Sequence, residues 1–265
     1  MKVFESGSDF ISWRKSLSSG ATIGFVPTMG ALHSGHTSLL ARARAENEIV
    51  VLSVFVNPTQ FNQASDLEKY PRTVEADLEI ARRSGVDAVL VPNDPGELYP
   101  DGFRYRVIET EFSKELCGAH RPGHFDGVLT VVLKLFGLAR ATRAYFGEKD
   151  YQQLSLIQGM ARAFFLETEV IACPTVREAD GLAMSSRNLR LSPLDREVAP
   201  KLHSAMTNFT DLQAARKAVE AAGFRVDYLE DRVLATGETR RFAAASLGEI
   251  RLIDNVRIHG AEAGR

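Results

Sequence analysis

Phe25-Val26-Pro27-Thr28-Met29-Gly30-Ala31-Leu32-His33-Ser34-Gly35-His36 is the stretch on which the reading of this chain turns. The apolar run from Ile23 to Val26 predicts a buried strand. Pro27, Gly30 and Gly35 interrupt it, and Leu39, Leu40 and Ala43 then share one face of a predicted helix. His33 and His36 therefore stand where a strand hands over to a helix. In a parallel α/β sheet, ligands bind beyond the carboxyl ends of the strands. The free N–H groups and positive end of a helix N-terminus favour an anion there. His33 and Gly35 let an imidazole and the backbone approach a phosphate, and His36 adds a second donor. By itself such a spacing more often marks two capping or surface histidines than a site. A zinc site would need a third ligand, and neither Cys117 nor Cys173 is near in sequence.

Outward from this stretch, strands and helices alternate. Asp9 to Ser18 is predicted helical, ended by Gly20. After the strand at Ile23 to Val26 and a helix from Gly35 to Asn47, Ile49 to Val56 is a β-branched run without polar alternation, the mark of a strand buried on both faces. It ends in the loop Asn57 to Asn62. Thr73 opens a helix to Ser84, closed by Gly85, and Asp87 to Val91 is another short buried strand. Phe103 to Glu109 alternates like an edge strand, and Phe112 to Gly118 suits a short helix. The polar loop Arg121 to Gly127 leads into an apolar helix from Val128 to Thr142. Arg143 to Phe146 is a strand ending at Gly147-Glu148-Lys149-Asp150, followed by a helix from Gln152 to Phe165 and a last strand from Glu167 to Ala172.

This alternation specifies an α/β fold, a Rossmann-like parallel sheet with helices on both faces. Right-handed crossovers would bring the loops at His33/His36, Gln60 and Lys149 to one rim. The texture changes after Pro174. Residues 177–188 form a long polar loop, Ser192-Pro193-Leu194-Asp195 starts a helix, and Asp211 opens another that Gly223 closes. Val226 to Glu230, Arg241 to Leu247 and Ile250 to Ile258 read as antiparallel strands, the last two joined by a tight hairpin at Gly248-Glu249. The expected domains are 1–174, the Rossmann-like sheet, and 175–265, a small α+β unit. The final Gly260 to Arg265 reads as a frayed tail.

Composition limits the function classes. With 265 residues, 45% hydrophobic and 25% charged, the chain has a sizeable core. A formal net charge of −2 argues against a dedicated nucleic-acid binder. Two distant cysteines suggest neither a disulfide framework nor a metal cluster, and fit a reducing cytoplasm. No signal peptide is expected at the N-terminus, and no membrane partner: the longest apolar run, Val128 to Ala139, contains Lys134 and is too short for a bilayer.

Lys149, between a strand and a helix, suits a phosphate counter-charge, or a solvated lysine beside Asp150. Met184-Ser185-Ser186-Arg187 offers backbone N–H groups, hydroxyls and a guanidinium to a polyphosphate, or is a polar linker. Gln60 and Gln153 can hold a hydroxyl or carboxylate of a small polar substrate, or lie on helix surfaces. Arg121 and His124 stay unassigned. The phosphate-loop and dinucleotide glycine motifs are absent from the sequence, and no Ser-His-Asp or Cys-His arrangement has defensible spacing. A phosphate-gripping set without a nucleophile suggests that both reactants are substrates, with catalysis by positioning and electrostatics.

Five motifs taken together, Pro27 to His36, Phe55 to Phe61, Arg121 to Val128, Phe146 to Gln153 and Arg177 to Asn188, resemble the pantothenate synthetase (pantoate–β-alanine ligase) family, within the wider nucleotidyltransferase superfamily that shares the His-x-Gly-His element. The resemblance runs from about Ile23 to Asn255. It implies an AMP-forming ligase that makes pantoyl adenylate from pantoate and ATP, then transfers the acyl group to β-alanine. It places Met29, Gly30, Ala31, Leu32, His33, Ser34, Gly35, His36, Gly147, Glu148, Lys149, Asp150, Val176, Met184, Ser185, Ser186 and Arg187 at ATP, with His36, His33 and Lys149 catalytic. It places Gln60 and Gln153 at pantoate, Gln60 also near β-alanine. It implies Mg²⁺ with the phosphates, no tightly bound organic cofactor, and a cytoplasmic homodimer. Asp231 to Arg241 is short for the family, and Asn208 to Gly223 does not align clearly. A simple nucleotidyltransferase and a non-catalytic nucleotide-binding module remain as alternatives; an aminoacyl-tRNA synthetase is disfavoured by size and charge.

Overall fold

The computed structural model describes residues 1–234 and 236–258; the C-terminal tail read from Gly260 lies outside them. The chain divides into two compact units, Met1–Glu148 with Gln152–Pro174, and Lys149–Tyr151 with the chain from Thr175 on. In chain order the elements up to Pro174 are β1 (Lys2–Phe4), α1 (Gly7–Lys15), β2 (Ile23–Thr28), α2 (Ser34–Glu46), β3 (Ile49–Val54), α3 (Ala64–Glu68), α4 (Val74–Arg83), β4 (Ala88–Leu90), α5 (Cys117–His120), α6 (His124–Ala139), β5 (Arg143–Gly147), α7 (Tyr151–Ala163) and β6 (Glu169–Cys173). The strands form one six-stranded sheet in the order β1-β4-β3-β2-β5-β6, with every pairing parallel. The order reverses at β2, so β2 and β5 flank the switch point of a doubly wound sheet, the place where such folds bind ligands.

Adjacent residues of β2 show why both faces are covered, because successive side chains of a strand point to opposite sides. Phe25 meets Phe136 of α6, ring centroids 6.5 Å apart. Val26 instead joins the buried cluster with Leu39 and Leu40 of α2 and with Val50 and Leu52 of β3. At the far end of α2, the Tyr145 hydroxyl donates to Glu46 (2.8 Å) and accepts from Asn47 Nδ2 (2.7 Å), and burial pushes its pKa up to about 12.

Several local expectations are corrected. Phe103 to Glu109 forms no strand; the Val107 N–H donates to the Thr130 hydroxyl of α6 (2.9 Å) in place of a sheet ladder. Phe112 to Gly118 splits into a 3₁₀ turn and α5, because Leu116 adopts a φ of 45°. Helix α6 starts at His124 and stops at Ala139, where Arg140 takes the left-handed conformation. Strand β1 was not expected; three residues carry no periodic signal.

In the second unit, α8 (Pro193–Val198), α9 (Lys201–Asn208) and α10 (Leu212–Ala221) precede the antiparallel strands β7 (Arg225–Val233), β8 (Thr239–Leu247) and β9 (Ile250–Ile258), ordered β7-β8-β9. Ser192 caps α8 by accepting from the Asp195 N–H (3.1 Å), and Asp211 caps α10 through the Ala214 N–H (2.6 Å). Ala243, Ala245 and Leu247 of β8 join Leu202 and Met206 of α9 and Ala215 and Val219 of α10 in one core. Arg241, on that same strand face, has a fully buried side chain. Its five N–H donors are used: two reach the Asp231 carboxylate (2.7 and 2.9 Å), and three reach the carbonyls of Met206, Phe209 and Thr210 (3.3, 2.5 and 3.0 Å). The guanidinium thereby caps the C-terminal end of α9. Arg241→Met strands three carbonyls and the Asp231 carboxylate, so urea denaturation should show a loss of ~3 kcal/mol, the range for breaking a buried pair from one side.

Candidate active site

The turn after β2 is held by a carboxylate that sequence reading overlooked. Asp77, on α4 and 1% exposed, accepts the Ala31 N–H at Oδ2 (2.9 Å) and the Leu32 N–H at Oδ1 (2.7 Å). The Thr73 hydroxyl also donates to it (3.2 Å). Gly30 is required here. Its φ is +81°, and a Cβ would stand 2.9 Å from Asp77 Oδ2 and 3.1 Å from Val54 Cγ1. The turn is also tied to the next strand, since the Thr28 hydroxyl donates to the Ser53 carbonyl (2.7 Å) and the Phe55 N–H to the Thr28 carbonyl (3.0 Å).

This frame delivers the chain into α2 with His33 as N-cap. The two histidines make a reciprocal capping box: His33 Nδ1 accepts from the Gly35 N–H (3.1 Å), and His36 Nδ1 accepts from the His33 N–H (3.3 Å). Their ring centroids are 4.1 Å apart. An imidazole that accepts at Nδ1 carries its proton, when neutral, on Nε2. The cap thus orients both rings as Nε2–H donors at a helix N-terminus. The capping reading and the phosphate reading are therefore compatible rather than rival.

Gln60, 8% exposed, lies at the end of a 3₁₀ turn after β3. Its Nε2 donates to Met29 Sδ (3.0 Å), and its Oε1 accepts from Asn57 Nδ2 (3.1 Å). The structure therefore brings Gln60 to the edge of the histidine element. Arg121 and His124 find their role here. His124 Nδ1 and Arg121 Nη2 both donate to the Gln60 carbonyl (2.8 and 3.2 Å), and Arg121 Nη1 lies 3.1 Å from His124 Nε2. Helix α6 approaches so closely that a Cβ on Gly127 would fall 2.5 Å from the Thr59 carbonyl oxygen. Asn57 completes the lock: its Oδ1 accepts from Tyr99 (2.8 Å), whose hydroxyl burial pushes up to about 12. Gln153 is half-buried in the first turn of α7, whereas its neighbour Gln152 is structural, bonding the backbone of Phe112, Glu115 and Cys117 at 2.7–3.0 Å. Gly147 ends β5, and Glu148 opens the 3₁₀ turn that follows.

The remaining candidates belong to the second unit. Lys149 is largely covered, with Nζ 3.6 Å from the Asp150 carboxylate. Residues 176–184 form a tight hairpin rather than an open linker: Met184 N–H donates to the Val176 carbonyl (3.0 Å), and Arg177 bridges Ala183. Ser185 caps the 3₁₀ helix Ser186–Arg190 by accepting from the Arg187 N–H (3.3 Å), and Ser186 is buried. Arg177 pairs in two-pronged fashion with the buried Asp254 (2.7 and 2.9 Å), and His203 Nδ1 lies 3.3 Å from the same carboxylate.

The doubly wound parallel sheet carries a histidine-capped helix at its switch point, where folds of this class bind ligands. The pantoate-beta-alanine ligase family profile matches residues 2–257. A pantothenate synthetase of Bdellovibrio bacteriovorus is 57% identical over 257 residues, covering 97% of this chain and 99% of that protein. One from Legionella pneumophila strain Lens is 51% identical over 96% of this chain and 99% of its own. Among solved structures, pantothenate synthetase of Thermus thermophilus aligns with a TM-score of 0.89 at 42% identity, covering 97% and 99% of the two chains. Pantoate-beta-alanine ligase of Francisella tularensis, complexed with beta-gamma ATP and beta-alanine, aligns with a TM-score of 0.90 at 40% identity and 97% of both chains. The chain belongs to the pantoate-beta-alanine ligase family.

Asp77→Asn keeps the shape but replaces one carboxylate acceptor with a donor facing a backbone N–H. It should cost ~1–3 kcal/mol in denaturant unfolding and weaken ATP binding measured by calorimetry. Asp254 makes a pH-dependent test. Burial alone would raise its carboxyl, but the neighbouring His203 and the two-pronged Arg177 outweigh it and hold the group below the ordinary range. A carboxylate depressed on folding stabilises the fold above its unfolded pKa of ~3.9 and loses that contribution as pH falls through the folded value. Asp254→Asn should therefore be less stable than the parent at pH 7 by ~3 kcal/mol in denaturant unfolding, and the difference should shrink progressively as pH falls below ~4.

Proposed function

We infer that this protein is an ATP-dependent ligase that condenses pantoate with β-alanine to pantothenate, releasing pyrophosphate and AMP. Family membership over nearly the whole chain supports the activity. The observation that carries the chemistry is the reciprocal histidine cap, which aims two Nε2–H donors from a helix N-terminus.

In the first step a pantoate carboxylate oxygen attacks the α-phosphorus of ATP, the bond to the β-phosphate bridging oxygen breaks, and pyrophosphate leaves. In the second step the β-alanine amine attacks the acyl carbon of pantoyl adenylate, loses a proton, and AMP leaves. His33 and His36 would donate to phosphate oxygens, with Met29, Gly30, Ala31, Leu32, Ser34 and Gly35 shaping the cradle. Gln60 and Gln153 would hold pantoate, and Gln60 the β-alanine side as well. Lys149 and Arg187 would neutralise charge on the phosphates, with Gly147, Glu148, Asp150, Val176, Met184, Ser185 and Ser186 contributing to the nucleotide site. Charge developing on the leaving pyrophosphate is where such fixed donors act most strongly.

Mg²⁺ would enter with the ATP phosphates, whose oxygens are its natural ligands. Among the described residues no group of three or more His, Cys, Asp and Glu is placed to hold a metal. We read residues 1–174 as the ATP- and pantoate-binding domain and 175–265 as a lid domain, and the protein as a cytoplasmic homodimer. No helix among the described residues is long and apolar enough to cross a membrane.

Pyrophosphate should appear only with pantoate present, and AMP only when β-alanine is added as well; ADP as the product would overturn the ligase reading. His36→Ala should lower kcat on the order of a hundredfold, the cost of one lost transition-state donor. Its lost cap should cost only ~1 kcal/mol of stability, which pairs the turnover assay with a thermal melt.

A further inference from the structure

Adjacent residues of a strand face opposite ways, and β9 uses this at Asp254-Asn255. In register, Asp254 lies beside Ala243 and Asn255 beside Phe242. Asp254 therefore shares the face of β8 that packs on the helices, where His203 of α9 meets it. Asn255 shares the opposite face with Phe242 and Arg240.

Each residue fastens one of the unit's candidate phosphate segments. Asp254 takes both prongs of Arg177, the base of the hairpin that leads to Met184–Arg187. Asn255 donates from Nδ2 to the Lys149 carbonyl (2.9 Å) and accepts at Oδ1 from Arg240 Nη1 (2.6 Å). The Arg240 guanidinium stacks over the Tyr151 ring, 4.1 Å from its centroid, and Phe242 meets the same ring edge-on at 5.9 Å. Glu238 fixes the outer side of Arg240 (2.8 Å). Lys149–Tyr151 is thus attached by side chains to a sheet about a hundred residues further along the chain, and it clusters with that unit rather than with the strand that precedes it. Asp254 and Asn255 are each 4% exposed, so solvent does not compete for these bonds.

We propose that Asp254 and Asn255 are positioning residues for adenylate formation: one dipeptide of β9 sets Lys149 and the Met184–Arg187 loop in a single frame. The assignment rests on the ligase reading. A misplacement of about 1 Å costs up to a hundredfold in such sites, which makes the attachment a kinetic determinant.

Asn255→Asp tests it, because a carboxylate keeps the acceptor for Arg240 and loses the donor to Lys149. Pantoate-dependent pyrophosphate release should fall at least tenfold in kcat/KM for ATP, with the KM for β-alanine unchanged and the melting temperature within a few degrees of the parent. In a Lys149→Ala background the further loss on adding Asn255→Asp should shrink to less than twofold, as a double-mutant cycle requires of coupled residues. Parental kinetics in Asn255→Asp, or an undiminished loss in the Lys149→Ala background, would overturn the proposal. A parent protein that releases no pyrophosphate with pantoate would instead strike the ligase reading. ATP affinity by calorimetry then decides the attachment: a weaker complex in Asn255→Asp sustains it, and an unchanged one overturns it.

Discussion

A buried carboxylate receiving two consecutive backbone N–H groups is the constraint on which the first unit's site depends. The turn after β2 exposes donors that no strand or helix can use, and burying them unpaired would cost several kilocalories per mole in total. Asp77 satisfies the Ala31 and Leu32 N–H groups at once, reaching across from α4. The left-handed conformation at Gly30 and the φ of 50° at Ala31 are tolerated because this acceptor fixes the turn from one side and the Thr28–Ser53 bond from the other. The capping histidines then follow from geometry: once the chain enters α2 at this angle, each imidazole has a backbone N–H within reach of Nδ1. What could be two mobile side chains becomes a pair with one proton position each.

The Gln60 loop repeats the strategy with different chemistry. Its backbone carbonyl receives an imidazole N–H and a guanidinium N–H, and its amide is oriented by Asn57 and Met29. Arg121 and His124 thus hold the Gln60 loop through its backbone. The close approach of α6 at Gly127 leaves that loop little room to move. Polar side chains here replace the apolar packing that would otherwise set a loop's position, as satisfied networks do in low-dielectric surroundings.

In the second unit the alternation of β8 and β9 serves two tasks at once. One face carries Arg241, Ala243, Ala245 and Leu247 against the helices; the other carries Arg240, Phe242 and Asn255 toward Lys149–Tyr151. Arg240 and Arg241 are neighbours with the same functional group. Arg241 closes a helix end, and Arg240 stacks on an aromatic ring. The pleat alone separates their roles.

The sequence by itself determined the alternation of strands and helices, hence the parallel sheet, because hydrophobic runs and glycine punctuation are local signals. It also placed the histidine element at a strand–helix junction, and the three C-terminal strands. Phe103 to Glu109 misled because period two does not say what a segment pairs with: Tyr105 and Ile108 are exposed, and Val107 bonds a side chain of α6 rather than another strand. Asp77 was invisible because a lone acid on an amphipathic helix reads as a solvated residue. Arg121 and His124 gave no role because their partner is a backbone carbonyl some sixty residues away. The opening stretch supplied the groups that can meet a phosphate. Only the tertiary structure decided which nitrogen of each imidazole the backbone occupies, and which distant carboxylate holds the turn in place, since those bonds join residues that no local pattern relates.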